Sequence, residues 1–202
     1  MRSWGILGGS FDPIHNGHLF LAQEVYEKLN LEKIIFIPAY IAPHKIGQSF
    51  ARAEDRFAMT KLAVEDNKHF VVSDMEIARK DISYTFDTIR ALKDAYPTQD
   101  FYFIIGADSV SQLPTWHNIA GLFELTKFAV VYRPLYDEAL LSAKKYFGKN
   151  GERIVAVSTK EYDVSSTQVR TLVQQGLDIS HLVPKKVEEY IRANGLYRHN
   201  QI

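Results

Sequence analysis

The sequence predicts an α/β fold in which a central parallel sheet is flanked by helices. Three observations lead to this prediction. Short apolar runs of strand length alternate with longer segments that have helical spacing. The runs are apolar throughout rather than alternating, which is typical of strands buried on both faces. Glycine-rich or polar groups follow several of the runs, and ligands of parallel sheets bind beyond the carboxyl ends of the strands.

The elements follow one another in an order that suits parallel pairing with right-handed crossovers. The predicted strands comprise residues 4–7, 33–38, 70–73, 101–105, 128–132 and 153–157. The predicted helices comprise residues 19–29, 50–66, 83–96, 135–147, 166–175 and 184–194, with loops at 39–49 and 113–117. This arrangement predicts a Rossmann-like nucleotide-binding fold with a small helical part at its C-terminal end.

Composition narrows the class of protein. The 202 residues suit one domain, and Lys plus Arg balance Asp plus Glu at 24 each, which argues against broad binding of nucleic acid. The absence of cysteine excludes disulfides, thiolate metal sites and cysteine nucleophiles. The sequence has neither a signal-peptide pattern nor an apolar run of membrane-spanning length, so we expect a cytoplasmic protein that binds no membrane.

The stretch after the first predicted strand carries the strongest chemical signal. Gly8 and Gly9 are expected to let the backbone approach a ligand closely and to take positive φ angles. His15 and His18 then lie at the mouth of a helix, whose free N–H groups favour anions. We interpret this as a phosphate site. A histidine pair that binds metal, or one that only caps or packs at a turn, remains the alternative.

The common nucleotide motifs are absent from the sequence. No G-x-G-x-x-G follows the first strand and no G-x-x-x-x-G-K-[ST] occurs in the chain. The residues instead resemble the nucleotidylyltransferase superfamily, whose HxGH motif matches 15–18 and whose ISSTxxR motif matches 164–170, with Val164 in place of Ile. Further matches resemble the bacterial nicotinate-nucleotide adenylyltransferase family: Pro43-His44-Lys45, Ser83-Tyr84-Thr85, Gly106-Ala107-Asp108, Leu113, Trp116, Arg133-Pro134 and Leu196-Tyr197.

This resemblance implies transfer of AMP from ATP to nicotinate mononucleotide, giving deamido-NAD (nicotinate adenine dinucleotide) and pyrophosphate. A phosphate monoester has a second pKa of about 6, so the acceptor phosphate is ionised and attacks in line without a covalent intermediate. Mg²⁺ is the expected cofactor of ATP. A homodimer is left open as the assembly. Residues 1–202 are expected to form one nucleotidyltransferase domain, with a core at 1–160 and a helical segment at 161–202 that carries the second phosphate motif.

The resemblance also implies the site residues. His15, His18 and Arg170 are the expected catalytic residues, and no residue is assigned to a metal ion. ATP is expected to contact Gly8, Gly9, Ser10, Phe11, Gly106, Asp108, Ser165, Ser166 and Thr167. The mononucleotide is expected to contact Lys45, Thr85, Trp116 and Arg133, with Thr85 presenting helix N–H groups to the nicotinate carboxylate and Trp116 stacking on the pyridine ring.

Each assignment has a plainer alternative. Ser165 to Thr167 could be an ordinary helix cap followed by a surface Arg170, and Asp108 could be a cap as well. Trp116 could pack in the core, and Lys45 could lie in a solvated turn. At the level of function, the acceptor could be nicotinamide mononucleotide or phosphopantetheine. The chain could also be a non-catalytic nucleotide-binding module, or an RNA-binding relative of the synthetases that share the histidine motif.

Overall fold

A computed structural model describes residues 2–43, 51–132, 137–160 and 162–198 of the chain. Its six strands in the described residues form one parallel sheet in the order β3-β2-β1-β4-β5-β6, which confirms the predicted Rossmann-like fold. The strands are β1 (Trp4–Gly9), β2 (Lys33–Pro38), β3 (Phe70–Val72), β4 (Phe101–Gly106), β5 (Lys127–Tyr132) and β6 (Ile154–Ser158).

The described residues form eight helices, of which six begin and end close to the predicted positions. They are α1 (Asn16–Lys28), α2 (Ala53–Val64), α3 (Met75–Arg79), α4 (Thr85–Ala95), α5 (Ile119–Leu125), α6 (Asp137–Phe147), α7 (Ser166–Gln174) and α8 (Lys185–Ala193). Two 3₁₀ helices, Ala107–Thr115 and Gly148–Arg153, complete the described elements.

Three short helical elements correct the expectations from sequence. The prediction missed α3 and α5, whose five and seven residues are too short to show a helical period. It also placed 113–117 in a loop, whereas the 3₁₀ helix Ala107–Thr115 runs through Pro114. Helix α5 contains Gly121 at a position where a side chain would collide with a neighbour, because a Cβ there would lie 2.6 Å from the Phe86 ring.

The contacts of the chain divide it into two compact units with interleaved segments. The first unit comprises Met1–Gly8, Leu21–Ile35 and Tyr84–Glu161, and the second comprises Gly9–Phe20, Phe36–Ser83 and Tyr162–Ile202. In the first unit, β4 and β5 pair in parallel and bury Phe103, Ile104 and Phe128. The expectation of one nucleotidyltransferase domain with a division near residue 160 stays a prediction.

The second unit contains both sequence motifs, residues 15–18 and 164–170. Its core includes the buried side chains of Phe36, Met59 and Phe70, and α8 buries Val187 and Ile191. Helices α2 and α8 are joined by a hydrogen bond from the Tyr190 hydroxyl to Asp55 Oδ1 (2.9 Å). The two motifs are therefore carried by a unit that has its own buried core.

Candidate active site

The glycine pair at the end of β1 provides space rather than an unusual backbone conformation. Gly8 and Gly9 do not take the positive φ angles that we expected. A Cβ on Gly8 would lie 3.3 Å from the Phe103 ring, and one on Gly9 would lie 3.2 Å from the Phe11 ring. Aromatic rings thus pack directly against the backbone at the end of this strand, which is the reason for glycine at both positions.

The left-handed conformation falls on Phe11 instead, with φ 47°. A non-glycine residue in this region carries strain that the surrounding structure must hold in place. The Phe11 side chain is buried, and its ring contacts those of Phe36 (5.9 Å) and His18 (5.1 Å) between centroids. Burial of this ring anchors the segment that we call the glycine–histidine loop, residues 9–18.

The two histidines of this loop form a stacked pair. The ring centroids of His15 and His18 lie 3.7 Å apart with an interplanar angle of 29°. The backbone N–H of His15 donates to His18 Nδ1 at 3.2 Å. Because Nδ1 is the acceptor, the neutral imidazole of His18 carries its proton on Nε2. His18 thereby has one ring nitrogen, Nδ1, committed to its own loop.

His15 differs from His18 in its burial. Its side chain is 6% exposed, and desolvation lowers its pKa from 6.5 to about 4. Its imidazole is therefore neutral near pH 7. Among the described residues, His15 Nδ1 is a buried polar atom that has no hydrogen-bond partner. Buried polar atoms are nearly always paired, so this nitrogen is a candidate to contact a ligand.

Glycine at position 17 leaves room for the His15 ring. A Cβ on Gly17 would lie 3.1 Å from His15 Nδ1 and 3.2 Å from its Cε1. The start of α1 is also held from outside, because Asn16 donates from its backbone N–H to the Leu182 carbonyl (2.8 Å) and from its side chain to the His181 carbonyl (3.2 Å). These contacts therefore fix the positions of the His15 ring and of the first residue of α1.

The second motif forms the N-terminus of α7. Ser165 is the N-cap, and its side chain accepts from the N–H of Gln168 at 3.1 Å, so the capping interpretation of this residue holds in the structure. Thr167 Oγ1 accepts from Arg170 Nη2 at 3.1 Å. The Ser165 and Thr167 side chains are exposed, which leaves them accessible to a ligand.

The structure brings the two motifs into direct contact within the second unit. Ser166 Oγ donates to the Pro13 carbonyl at 2.9 Å, and Arg170 Nη1 donates to the Asp12 carbonyl at 2.8 Å. Arg170 is therefore not an isolated surface residue. Both side chains bind the backbone of the glycine–histidine loop, so part of their contribution is to hold that loop.

Sequence reasoning gave no role to three further residues around this loop. The Tyr197 hydroxyl donates to Asp12 Oδ1 at 2.7 Å. The Arg56 guanidinium donates to the carbonyls of Ser10 (2.6 Å), Tyr40 (3.0 Å) and Ala51 (3.3 Å). A signal for Arg56 existed in the sequence, because helical spacing places it on the same buried face of α2 as Met59 and Thr60.

The residues expected near the acceptor ring lie in the first unit. Thr85 is the first residue of α4, as predicted, and Trp116 directly follows the 3₁₀ helix. The partly buried Trp116 indole packs edge-on against the rings of Phe103 (5.8 Å) and Phe128 (6.2 Å). Trp116 thus packs in part on buried side chains while keeping some of its surface exposed.

Asp108 does not cap the helix in which it lies. Gly106 occupies the cap position, and the Asp108 side chain is exposed. A Cβ on Gly106 would lie 2.5 Å from Asp108 Oδ1, so glycine makes room for the carboxylate at the end of β4. The expected mononucleotide contacts Lys45 and Arg133 lie outside the described residues.

A search of the described residues found no group of three or more His, Asp or Glu side chains that could hold a metal ion. In the same part of the chain, no helix has the length and apolar character to cross a membrane.

Comparison with known proteins places the chain in a family. Residues 6–172 match the model of the cytidylyltransferase-like family. The chain is 42% identical to a probable nicotinate-nucleotide adenylyltransferase of Bacillus anthracis and 43% identical to one of Bacillus cereus. Each alignment spans 197 residues, which is 98% of this chain and 99% of the relative.

Solved structures with the same fold have much lower sequence identity. A nicotinic acid mononucleotide adenylyltransferase of Plasmodium falciparum, complexed with NaAD, aligns with a TM-score of 0.81 at 19% identity and with full coverage of both chains. A putative nicotinate-nucleotide adenylyltransferase of Vibrio parahaemolyticus aligns with a TM-score of 0.71 over 99% of this chain and 98% of its own. Together with the motifs and the near-complete match to the Bacillus proteins, these findings show that the chain belongs to the cytidylyltransferase-like family, in its nicotinate-nucleotide adenylyltransferase branch.

Proposed function

We propose that this protein transfers AMP from ATP to nicotinate mononucleotide, producing nicotinate adenine dinucleotide and pyrophosphate for NAD biosynthesis. The observation that carries the reaction class is the stacked pair His15 and His18, which lies at the start of α1 with a buried ring nitrogen free for a ligand. The acceptor is inferred from the Bacillus relatives, whose names give that activity and which match nearly the whole chain.

The proposed reaction is a single in-line displacement. An oxygen of the acceptor phosphate attacks the α-phosphorus of ATP, and the new P–O bond forms as the bond to the α,β-bridging oxygen breaks. The electron pair of that bond leaves with pyrophosphate. Because the acceptor phosphate is already ionised, no side chain has to remove a proton, and the protein contributes alignment and charge stabilisation.

Donors on the glycine–histidine loop supply the charge stabilisation in this proposal. His18 Nε2–H is the donor to the α-phosphate, because its Nδ1 already accepts from the loop backbone. The neutral imidazole of His15 donates to the β- or γ-phosphate. The backbone from Gly8 to Phe11 contacts the triphosphate through its N–H groups in this proposal.

The second motif acts at the other side of the triphosphate. The N-terminus of α7 and the hydroxyls of Ser165 and Thr167 bind phosphate oxygens in this proposal. Arg170 adds a fixed positive charge. The Ser166 hydroxyl has a different principal task, because it donates to the Pro13 carbonyl and so positions the loop.

Residues of the first unit are proposed to bind the ribose and the acceptor. Gly106 and Asp108 contact ribose hydroxyls, and Trp116 stacks on the pyridine ring with the surface that it keeps exposed. Backbone N–H groups at Thr85 bind the nicotinate carboxylate. A helix N-terminus favours such a charge by about 1 kcal/mol, so we expect roughly a fivefold preference for the acid over the amide from this source alone. Lys45 and Arg133 bind the phosphate of the mononucleotide.

Mg²⁺ enters this proposal only with ATP. Because no group of three suitable side chains occurs in the described parts of the chain, we assign it no protein ligand and derive no step from it. When bound to the triphosphate it would neutralise phosphate charge. The cytoplasmic location and the homodimer stay predictions.

Turnover with three acceptors tests the proposal. Pyrophosphate release is measured with ATP and, in turn, nicotinate mononucleotide, nicotinamide mononucleotide and phosphopantetheine, and each product is identified by mass. We expect the highest kcat/KM with nicotinate mononucleotide. A higher value with another acceptor would reassign the substrate. Nucleotide binding without pyrophosphate release from any acceptor would identify a non-catalytic binding module.

A further inference from the structure

A buried carboxylate, that of Asp12, lies inside the glycine–histidine loop. Asp12 is 7% exposed, and it accepts a 2.7 Å hydrogen bond from the hydroxyl of Tyr197, which is 6% exposed. The two residues are 185 positions apart in the chain. Burial and the Asp12 charge raise the pKa of Tyr197 far above its ordinary value, so the hydroxyl stays protonated and remains a donor.

The approach of Tyr197 to the loop is built into the end of the chain. Gly195 and Tyr197 both take the left-handed conformation, each with φ 62°. Glycine suits the first of these positions after a helix, whereas tyrosine does not favour the second. The chain thus adopts a costly turn after α8, and the result is a buried hydroxyl on Asp12.

Arg56 holds the same loop from the side of α2. Its side chain is 3% exposed and donates to three carbonyls, those of Ser10, Tyr40 and Ala51. Burial lowers the pKa of this guanidinium, while the charge of Asp12 acts in the opposite direction. The negative charge of Asp12 therefore favours the charged form of the buried Arg56 guanidinium.

These contacts bear on catalysis because the loop is strained at Phe11 and carries both imidazoles. A strained residue keeps its conformation only when its surroundings over-determine it. Asp12 directly follows Phe11 and precedes His15 by three positions. We therefore expect a displacement of the Asp12 side chain to displace the two imidazoles as well. Displacement of a catalytic group by about 1 Å is enough to cost up to a hundredfold in rate.

We propose that Tyr197 and Arg56 are positioning residues for adenylyl transfer, which act by locking Asp12 and the Ser10 carbonyl so that His15 and His18 stay aligned. The effect on rate rests on the proposed function, whereas the effect on the imidazoles does not. The C-terminal segment is therefore part of the catalytic apparatus, although none of its side chains beyond Arg170 needs to touch a substrate.

The variant Tyr197→Phe tests this proposal, and the chain offers a matched control. Tyr190 also donates its hydroxyl to a buried aspartate, Asp55, in the same unit but outside residues 9–18. We expect Tyr197→Phe to lower kcat about tenfold with KM for ATP changed less than about threefold. We expect Tyr190→Phe to keep kcat within about twofold of the unchanged protein while losing one hydrogen bond of the same kind.

All rates are measured in conditions where urea titration shows both variants to be folded. Equal kcat values for Tyr197→Phe and Tyr190→Phe under these conditions would overturn the proposal, because they would reduce Tyr197 to a stabilising residue.

A second measurement does not depend on turnover. The Cε1–H resonances of His15 and His18 are followed by NMR in the protein without substrate. We expect Tyr197→Phe to shift both resonances and Tyr190→Phe to leave both in place. If Tyr197→Phe does not fold, Arg56→Lys replaces it, because lysine keeps the positive charge but cannot bind the carbonyls of Ser10, Tyr40 and Ala51 together. Unchanged imidazole resonances would contradict the proposal even if no acceptor were turned over.

Discussion

Two regions of this molecule, which are proposed to bind different parts of the substrates, are held in place by different kinds of contact. In the phosphate region, residues 9–18 and 164–170, hydrogen bonds join segments far apart in the chain, as from Ser166 to Pro13 over 153 positions. In the ring region, which comprises Thr85, Gly106, Asp108 and Trp116, the contacts are aromatic. Trp116 packs edge-on against Phe103 and Phe128, and His117 lies 4.7 Å from the Tyr84 ring.

The difference follows from the chemistry of the proposed ligand parts. A transferring phosphate develops charge at defined oxygens, so its donors must be held to fractions of an ångström. A pyridine ring is recognised by its flat surface, and a stacking partner tolerates small displacements. The phosphate region is therefore braced by buried polar contacts, whereas the ring region needs only packing from behind. Substitutions in the two regions should differ accordingly in which kinetic constant they change.

The largest effect is expected from His18→Ala. Loss of one oriented transition-state donor should lower kcat about a hundredfold or more, with a smaller loss of affinity for ATP. Steady-state kinetics and binding titration with a non-hydrolysable ATP analogue measure the two effects separately. His181→Ala, which removes an exposed imidazole, should leave kcat unchanged. A kcat for His18→Ala within a few-fold of the original would contradict its assigned role.

The buried imidazole of His15 should make stability depend on pH. Its pKa is about 4 in the folded protein and 6.5 when unfolded, so the unfolded chain takes up a proton first as the pH falls. The contribution is thus fully present above pH 6.5 and is lost as the pH is lowered towards 4. From this group alone we expect a loss of about 2 kcal/mol by about pH 5.

Urea unfolding of the original protein and of His15→Gln at several pH values measures this contribution. The variant cannot titrate at this position, so its free energy of unfolding should fall less steeply over the same range. Identical pH profiles for the two proteins would mean that His15 is solvated in the folded state.

Trp116→Ala should act on the acceptor and spare ATP. Loss of stacking should raise KM for the mononucleotide about tenfold, because aromatic pairs contribute on the order of 1 kcal/mol beyond their buried area. Trp116→Phe keeps an aromatic face and should show a smaller increase. Initial rates at varied concentrations of each substrate measure both constants. Equal increases in KM for ATP and mononucleotide would remove Trp116 from the ring region.

Gly17→Ala should have the smallest effect and should separate rate from stability. The new Cβ would lie 3.1 Å from His15 Nδ1, so the ring must give way by a few tenths of an ångström. We expect kcat to fall about threefold to fivefold. Alanine also favours a helix over glycine by up to about 1 kcal/mol, so thermal unfolding should show little loss of stability. A lower stability with unchanged kcat would mean that the ring does not need its present place.

Local patterns were sufficient for most of the fold. The six apolar runs become the six strands, since residues buried on both faces of a sheet must be apolar along their whole length. The short helices α3 and α5 were missed because a few residues carry no measurable period. The glycine pair was recognised, but its packing was not, because the ring beside Gly8 comes from the distant Phe103, and the ring beside Gly9 belongs to Phe11, whose left-handed backbone no sequence pattern displays.

By itself, the sequence determined the parallel α/β fold, the two phosphate motifs and the helix starts that carry them. The fold and the helix starts depend on residue spacing over one or two turns, which a single sequence displays, whereas the motif at 164–170 is assigned through its resemblance to the nucleotidylyltransferase superfamily. The tertiary structure decided that Phe11 takes the left-handed conformation, that Arg56 binds three carbonyls and that Tyr197 reaches Asp12. Those outcomes depend on burial and on hydrogen bonds between distant segments, and no local spacing encodes which distant partner a buried polar group will find.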